Sequence, residues 1–201
     1  MTDLLPPSPE LLKSLLIERL DETLALIQRV RTDERLLAAT LDAALRTAQA
    51  IAQGGRLLIC GNGGSAAEST HLSGELIGPF LDKQRRPLPA IALGFDPSAA
   101  SAVANDFGFA EVFARQIQAL GRPGDVLWAL STSGRSPNVV RALATARERG
   151  LVTVLLTGAA YPDLPAADIV LAIPSRVTPR IQEVHLMLGH FLCEAIESLN
   201  A

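Results

Sequence analysis

The chain has 201 residues, of which 48% are hydrophobic and 19% charged, with a formal net charge of −3. That length can bury a sizeable core without staples, and that composition excludes a disordered chain. The slight acidity and an aromatic content of 4% exclude a nucleic-acid binder, which would show a basic patch with interleaved aromatics.

The N-terminal stretch, Met1 to Pro9, is polar and proline-rich. It lacks a basic segment followed by an apolar run, so no signal peptide is expected. Every long apolar stretch is broken by Gly, Pro or charge before 18 residues, which predicts no membrane span. The expected location is the cytoplasm, with Cys60 and Cys193 as two buried thiols, too few for a disulfide framework.

Residues 10–30 repeat leucines at steps of three and four, through Leu12, Leu16, Leu20 and Leu24, which predicts a helix. A second helical pattern runs over 33–53, through Leu37, Leu41, Ala44 and Ile51, and Gly54-Gly55 ends it. Residues 1–53 thus form a helical hairpin ahead of a core spanning 54–201. So many leucines need a partner surface, either the body of the chain or another subunit. Terminal helices of this composition favour the second.

From residue 56 the register changes to short apolar runs over 56–60, 88–93, 125–130, 152–156 and 169–173, read as buried strands. Helical patterns over 66–77, 111–120, 137–148 and 179–199 fall between or after them. Alternation of this kind predicts an α/β protein with a parallel sheet covered by helices on both faces. The basic run Lys83-Gln84-Arg85-Arg86, ahead of two prolines, is read as a solvated loop.

In such a sheet, ligands sit beyond the carboxyl ends of the strands. Two loops there are unusual. Gly61-Asn62-Gly63-Gly64-Ser65 follows the first strand. Its glycines let backbone N–H groups approach an anion, and the helix that follows points its positive end into the same space. The loop is either an anion cradle or a plain tight turn. It has neither the GxGxxG spacing nor a following GK[ST]. Ser131-Thr132-Ser133-Gly134-Arg135-Ser136-Pro137 follows the third strand. A helix cap needs one hydroxyl, and four lie here in six residues, which favours a phosphate site.

The chain has three histidines. His71 and Glu75, four apart, share one helix face. Gln182 and His190 are eight apart, about 80° around and about two turns along the last helix. Imidazole, carboxylate and amide oxygen are donors that zinc accepts. Spacing alone leaves a surface salt-linked pair equally open.

Taken in order, several motifs resemble one family. They are Cys60-Gly61-Asn62-Gly63-Gly64-Ser65, Thr70-His71, Glu75-Leu76, Ala104-Asn105-Asp106-Phe107-Gly108, Ser131-Thr132-Ser133-Gly134 and Arg180-Ile181-Gln182-Glu183-Val184-His185. They are similar to the phosphoheptose isomerases of the sugar-isomerase (SIS) fold, over nearly the whole chain. The resemblance implies a single SIS domain with a five-stranded, flavodoxin-like parallel sheet. It implies interconversion of D-sedoheptulose 7-phosphate and D-glycero-D-manno-heptose 7-phosphate through an enediol, the first step towards nucleotide-activated heptose for lipopolysaccharide. It also implies a homotetramer with active sites at subunit interfaces, and one zinc ion per subunit on His71, Glu75, Gln182 and His190. Glu75 would be the catalytic base and His190 the acid. Ser131, Ser133, Ser136 and the Gly63-Gly64-Ser65 turn would hold the phosphate. Asn62, Asp96 and Thr132 would hold sugar hydroxyls, and Gln182 would also touch the substrate. Two positions depart from the pattern: Pro79 stands where members carry arginine, and Arg135 where they carry a small or polar residue.

The same fold includes a non-enzymatic branch that binds the replication initiator; that branch lacks the carboxylate and second histidine present here. Isomerases of other sugar phosphates and SIS ligand sensors fused to DNA-binding domains are the remaining alternatives. No recognition-helix pattern precedes the core.

Overall fold

A sheet buried on both faces must be apolar without alternation, and the strands follow that rule. In the computed structural model, which describes residues 8–159 and 163–200, β1 (Leu57–Gly61) and β3 (Val126–Leu130) are buried at every position. β4 (Val152–Gly158) is buried at all but its first residue, and β5 (Ile169–Ile173) closes one edge. The opposite edge is β2 (Ala90–Ala92), shorter than the expected 88–93 because Pro87 and Pro89 cannot join a ladder as donors. All neighbours are parallel, in the order β2-β1-β3-β4-β5.

Side-chain alternation sends Leu57, Ile59, Trp128 and Leu156 to one face and Leu58, Cys60, Leu127 and Leu155 to the other. The first face packs against α2 (Glu34–Ala52), α3 (Gly64–Ile77) and α7 (Thr178–Leu199). The second is covered by α5 (Val112–Leu120) and α6 (Pro137–Glu148). Trp128 donates its indole N–H to Thr47 Oγ1 at 3.1 Å, which ties α2 to the sheet. Cys60 and Cys193 are both free and buried, and burial pushes each thiol up to about 12.

The N-terminal hairpin divides its loyalties. α2 buries seven residues on the body, against the expectation that the hairpin packs chiefly on another subunit. α1 (Pro9–Arg31) buries only Leu26 and Val30 and leaves Leu12, Leu16, Leu20 and Leu24 more than half exposed. The start of the chain up to residue 7, with the absent leader read there, lies outside the described residues.

One helix carries only a weak periodic signal. α4 (Pro97–Phe107) has no fully buried residue, and its apolar side is limited to the partly buried Ala100, Val103 and Ala104 against the second face of the sheet. Its signals are local: Asp96 accepts from the N–H groups of Ser98 and Ala99, and Pro97 fills the first position. Among the described residues no helix is long and apolar enough to cross a membrane.

Candidate active site

The strand order reverses between β1 and β3, and both unusual loops leave the sheet at that switch point. They are joined: Asn62 and Asn138 exchange two side-chain hydrogen bonds, each 2.8 Å. Helices α3 and α6 start here, and neither has a side-chain cap, whereas α1, α2 and α4 do. No side chain therefore occupies these helix starts; Pro137 has no N–H, and the Ser65, Ala66 and Val139 N–H groups donate to the backbone carbonyls of Asn62, Gly63 and Ser136. Gly63 and Gly64 open α3, and Ser65 is buried in its first turn.

In the second loop Ser131 and Ser136 hydroxyls lie 3.3 Å apart. Ser133 Oγ accepts the Arg135 N–H at 3.2 Å, and the Thr132 carbonyl accepts the Gly158 N–H at 3.0 Å. Ser136 occupies the cap position of α6 but does not cap it, so the four hydroxyls are not explained by capping. Asp96 uses Oδ1 to cap α4, which leaves its other oxygen for a further partner.

The second cluster lies seven residues along α3 from Gly64, about 10 Å down the helix. His71 Nε2 is 3.3 Å from Glu75 Oε1 and 2.7 Å from His190 Nε2. These three donor atoms all lie within 4.8 Å of one another and could hold a metal ion. Two imidazoles and a carboxylate are a donor set that suits a divalent ion such as zinc. His190 reaches the pair because α3 and α7 approach closely beside it. A Cβ on Gly189 would lie 2.7 Å from a methyl of the fully buried Leu72, so any larger residue there would force Leu72 to move and the helices apart. The Phe80 ring stacks on His190, with centroids 5.8 Å apart and an interplanar angle of 26°.

Gln182 stands elsewhere. Its amide lies against Gly64, where any Cβ would collide with it, and no hydrogen bond among the described residues joins it to the cluster. It lines a small cleft with Glu68, Pro179 and Leu186. The sequence reading passed over Glu68, which is 8% exposed and has one carboxylate oxygen without a partner. Burial pushes its carboxyl up to about 7, against a smaller downward pull from the Ser65 hydroxyl. Its spacing, three before His71 and seven before Glu75, was the available signal.

Arg85 corrects the reading of its basic run as solvated. Lys83, Gln84 and Arg86 are exposed, but the Arg85 side chain is 1% exposed and paired with Glu197.

A family model described as the SIS domain matches residues 20–158. A phosphoheptose isomerase of Solidesulfovibrio magneticus is 48% identical over 91% of this chain and 88% of its own length. One of a Bradyrhizobium species is 47% identical over 93% and 94%. Among solved structures, a phosphoheptose isomerase of Neisseria gonorrhoeae superposes with a TM-score of 0.85 at 38% identity, covering 93% of this chain and 99% of that one.

Proposed function

The chain belongs to the SIS-domain family, among the phosphoheptose isomerases, and on that premise we propose that it interconverts D-sedoheptulose 7-phosphate and D-glycero-D-manno-heptose 7-phosphate. The observation that carries this reading is the meeting of His71, Glu75 and His190 from two helices. The loops 61–65 and 131–136 support it as a phosphate anchor. Uncapped helix ends and neutral hydroxyls suit a phosphate dianion without requiring lysine.

Aldose–ketose isomerisation moves a proton between adjacent carbons and another between their oxygens. Glu75 takes the proton from C1 of the ketose and returns it to C2. His190 supplies a proton to the oxygen on C2 as the enediol forms, and takes the one leaving the oxygen on C1. His71 holds both partners at hydrogen-bonding range. We assign Asn62, Asp96, Thr132 and Gln182 to the sugar hydroxyls. Gly63, Gly64, Ser65, Ser131, Ser133 and Ser136 take the phosphate.

Zinc fits the His71, Glu75 and His190 donors, and when bound it supplies Lewis-acid stabilisation of developing negative charge. Gln182 is the candidate fourth donor, and it would have to leave its place against Gly64 to serve. We further propose one SIS domain over 1–201, working in the cytoplasm as a homotetramer with sites at subunit interfaces. The exposed leucines of α1 support the assembly. So does an apolar groove of about 450 Å³ between α1, α2 and α7, lined by Ile27, Leu41, Met187 and Phe191.

Incubation with heptulose, hexulose and pentulose phosphates, each with and without a chelator, tests the reading. Turnover of the seven-carbon ketose, lost on chelation, is expected. Turnover of a shorter sugar alone would move the substrate class. No turnover of any would overturn the enzymatic reading.

A further inference from the structure

We infer that Arg85 and Glu197 are positioning residues, a buried clamp that sets Glu75 and His190 in register. The inference rests on the acid–base roles proposed above for those two side chains. The clamp starts from α7. Glu197 lies seven residues beyond His190, on the same face and about 10 Å along the axis. Its residue is 3% exposed, and its carboxylate accepts the N–H groups of Phe80, Leu81 and Asp82 at 3.1, 2.7 and 3.0 Å. It also accepts Arg85 Nε. Burial alone would raise the Glu197 pKa. The Leu81 N–H, the Arg85 guanidinium and the two other amides outweigh it and hold the carboxyl down at about 2.

Arg85 uses every donor it has. Beyond Nε, its Nη1 donates to the carbonyls of Leu76 and Arg86 at 2.9 and 3.0 Å, and its Nη2 to those of Glu75, at 2.8 Å, and Gly78. Five N–H groups meet five acceptors. A cation at the end of α3 also suits the helix dipole.

One ion pair thus fixes three things. It closes the last turn of the helix that carries Glu75, through that residue's own carbonyl. It pins the backbone of the turn that follows. Through Phe80, whose N–H it binds, it holds a ring against the His190 imidazole. A buried pair of this kind contributes little net stability because desolvation offsets its attraction. Its yield is in geometry, at the place where displacements of about 1 Å cost about a hundredfold in rate.

Phe80→Leu removes the ring and leaves the ion pair intact, so it tests the relay without threatening the fold. We expect kcat to fall about tenfold with KM within about twofold. Glu197→Gln should lower kcat at least as far, and Arg85→Lys should lower it too, because three donors cannot replace the fork. The double variant Phe80→Leu/Glu197→Gln should be no slower than the slower single, since the Phe80 stack lies downstream of Glu197 and is already lost in Glu197→Gln. Unchanged kcat in Phe80→Leu, well below its melting temperature, would overturn the inference, as would independent, multiplicative losses in the double variant. A second readout needs no turnover. With only three histidines, the His190 ring protons can be followed by NMR, and their displacement by the Phe80 ring current should collapse in Glu197→Gln. Retention of that displacement would show that the clamp does not set the stack. Absence of isomerase activity in the unaltered protein would instead count against the proposed function and leave this arm intact. Should Glu197→Gln not fold, Arg85→Lys, which keeps the charge and loses the fork, carries the same kinetic and NMR readouts, and wild-type values in it would overturn the inference.

Discussion

The switch-point loops, which we propose as the phosphate socket, present neutral hydroxyls and backbone amides at the ends of buried strands. The cluster farther along α3 consists of two imidazoles and a carboxylate, and it is assembled from two helices. The first region inherits its geometry from the sheet. The second depends on helix contacts and on a buried ion pair. A phosphate group does not change during the reaction and needs only a fixed socket, whereas proton transfer needs titratable groups whose spacing is enforced.

The comparison breaks most visibly at Glu75. Glu75→Gln should lower kcat by about 10²–10⁴-fold, with KM and oligomeric state kept, as steady-state kinetics and light scattering would register. Substantial residual turnover would remove Glu75 from the base role.

The third histidine sharpens the contrast between histidines that face the site and one that does not. His185, fully buried on α7, has no hydrogen-bond partner for either ring nitrogen among the described residues. Burial pushes its pKa down to about 4, against a smaller upward pull from the Thr157 backbone. The unfolded chain, titrating at 6.5, therefore binds more protons between pH 6.5 and 4, and stability falls as the pH drops through that window. The loss is about 3 kcal/mol between pH 7 and pH 4. Glu68 works the other way: its raised carboxyl gives stability that is complete below pH 4.5 and lost as the pH rises through about 7. Urea melts of His185→Leu against the parent isolate the first effect. The variant should lose less on acidification, and parallel curves would refute the assignment.

Gly189→Ala attacks the helix contact itself. Both methyls of Leu72 stand within 3 Å of the added carbon, and the cost should be about 1–3 kcal/mol with a lowered kcat. Gly74→Ala is the control: its added carbon meets nothing within 4 Å, so stability should hold or rise by about 0.5–1 kcal/mol. Equal effects from the two would deny that the α3–α7 approach matters.

Ser133→Ala probes the socket and should be mildest. Losing one hydroxyl to a charged ligand should raise KM about tenfold with kcat nearly kept. A kcat effect in place of a KM effect would place Ser133 at the reacting end.

The strands were readable because continuous apolar runs bounded by glycine leave few alternatives, as at Leu57–Gly61. The His71 and Glu75 pair was readable from helical spacing alone. That His190 joins them was not, since it depends on Gly189 meeting Leu72 across 117 residues of chain. The family resemblance supplied it instead. Arg85 was misread for the same reason. A basic run looks solvated unless its acceptor is known, and Glu197 lies 112 residues away. Helix α4 escaped because its apolar side is small, Ala100, Val103 and Ala104, and only partly buried, so its period is faint in the sequence.

The reciprocal amide pair of Asn62 and Asn138 carries a thermodynamic consequence. Under the proposed phosphate role, two loops that already clasp each other would have little freedom left to surrender on binding. The ordering entropy is spent during folding, so association at this end should release more of its intrinsic free energy as affinity. Severing the clasp, as in Asn138→Ala, converts a rigid receptor into one that must close around its guest. Calorimetry with inorganic phosphate would read the change as a more unfavourable binding entropy.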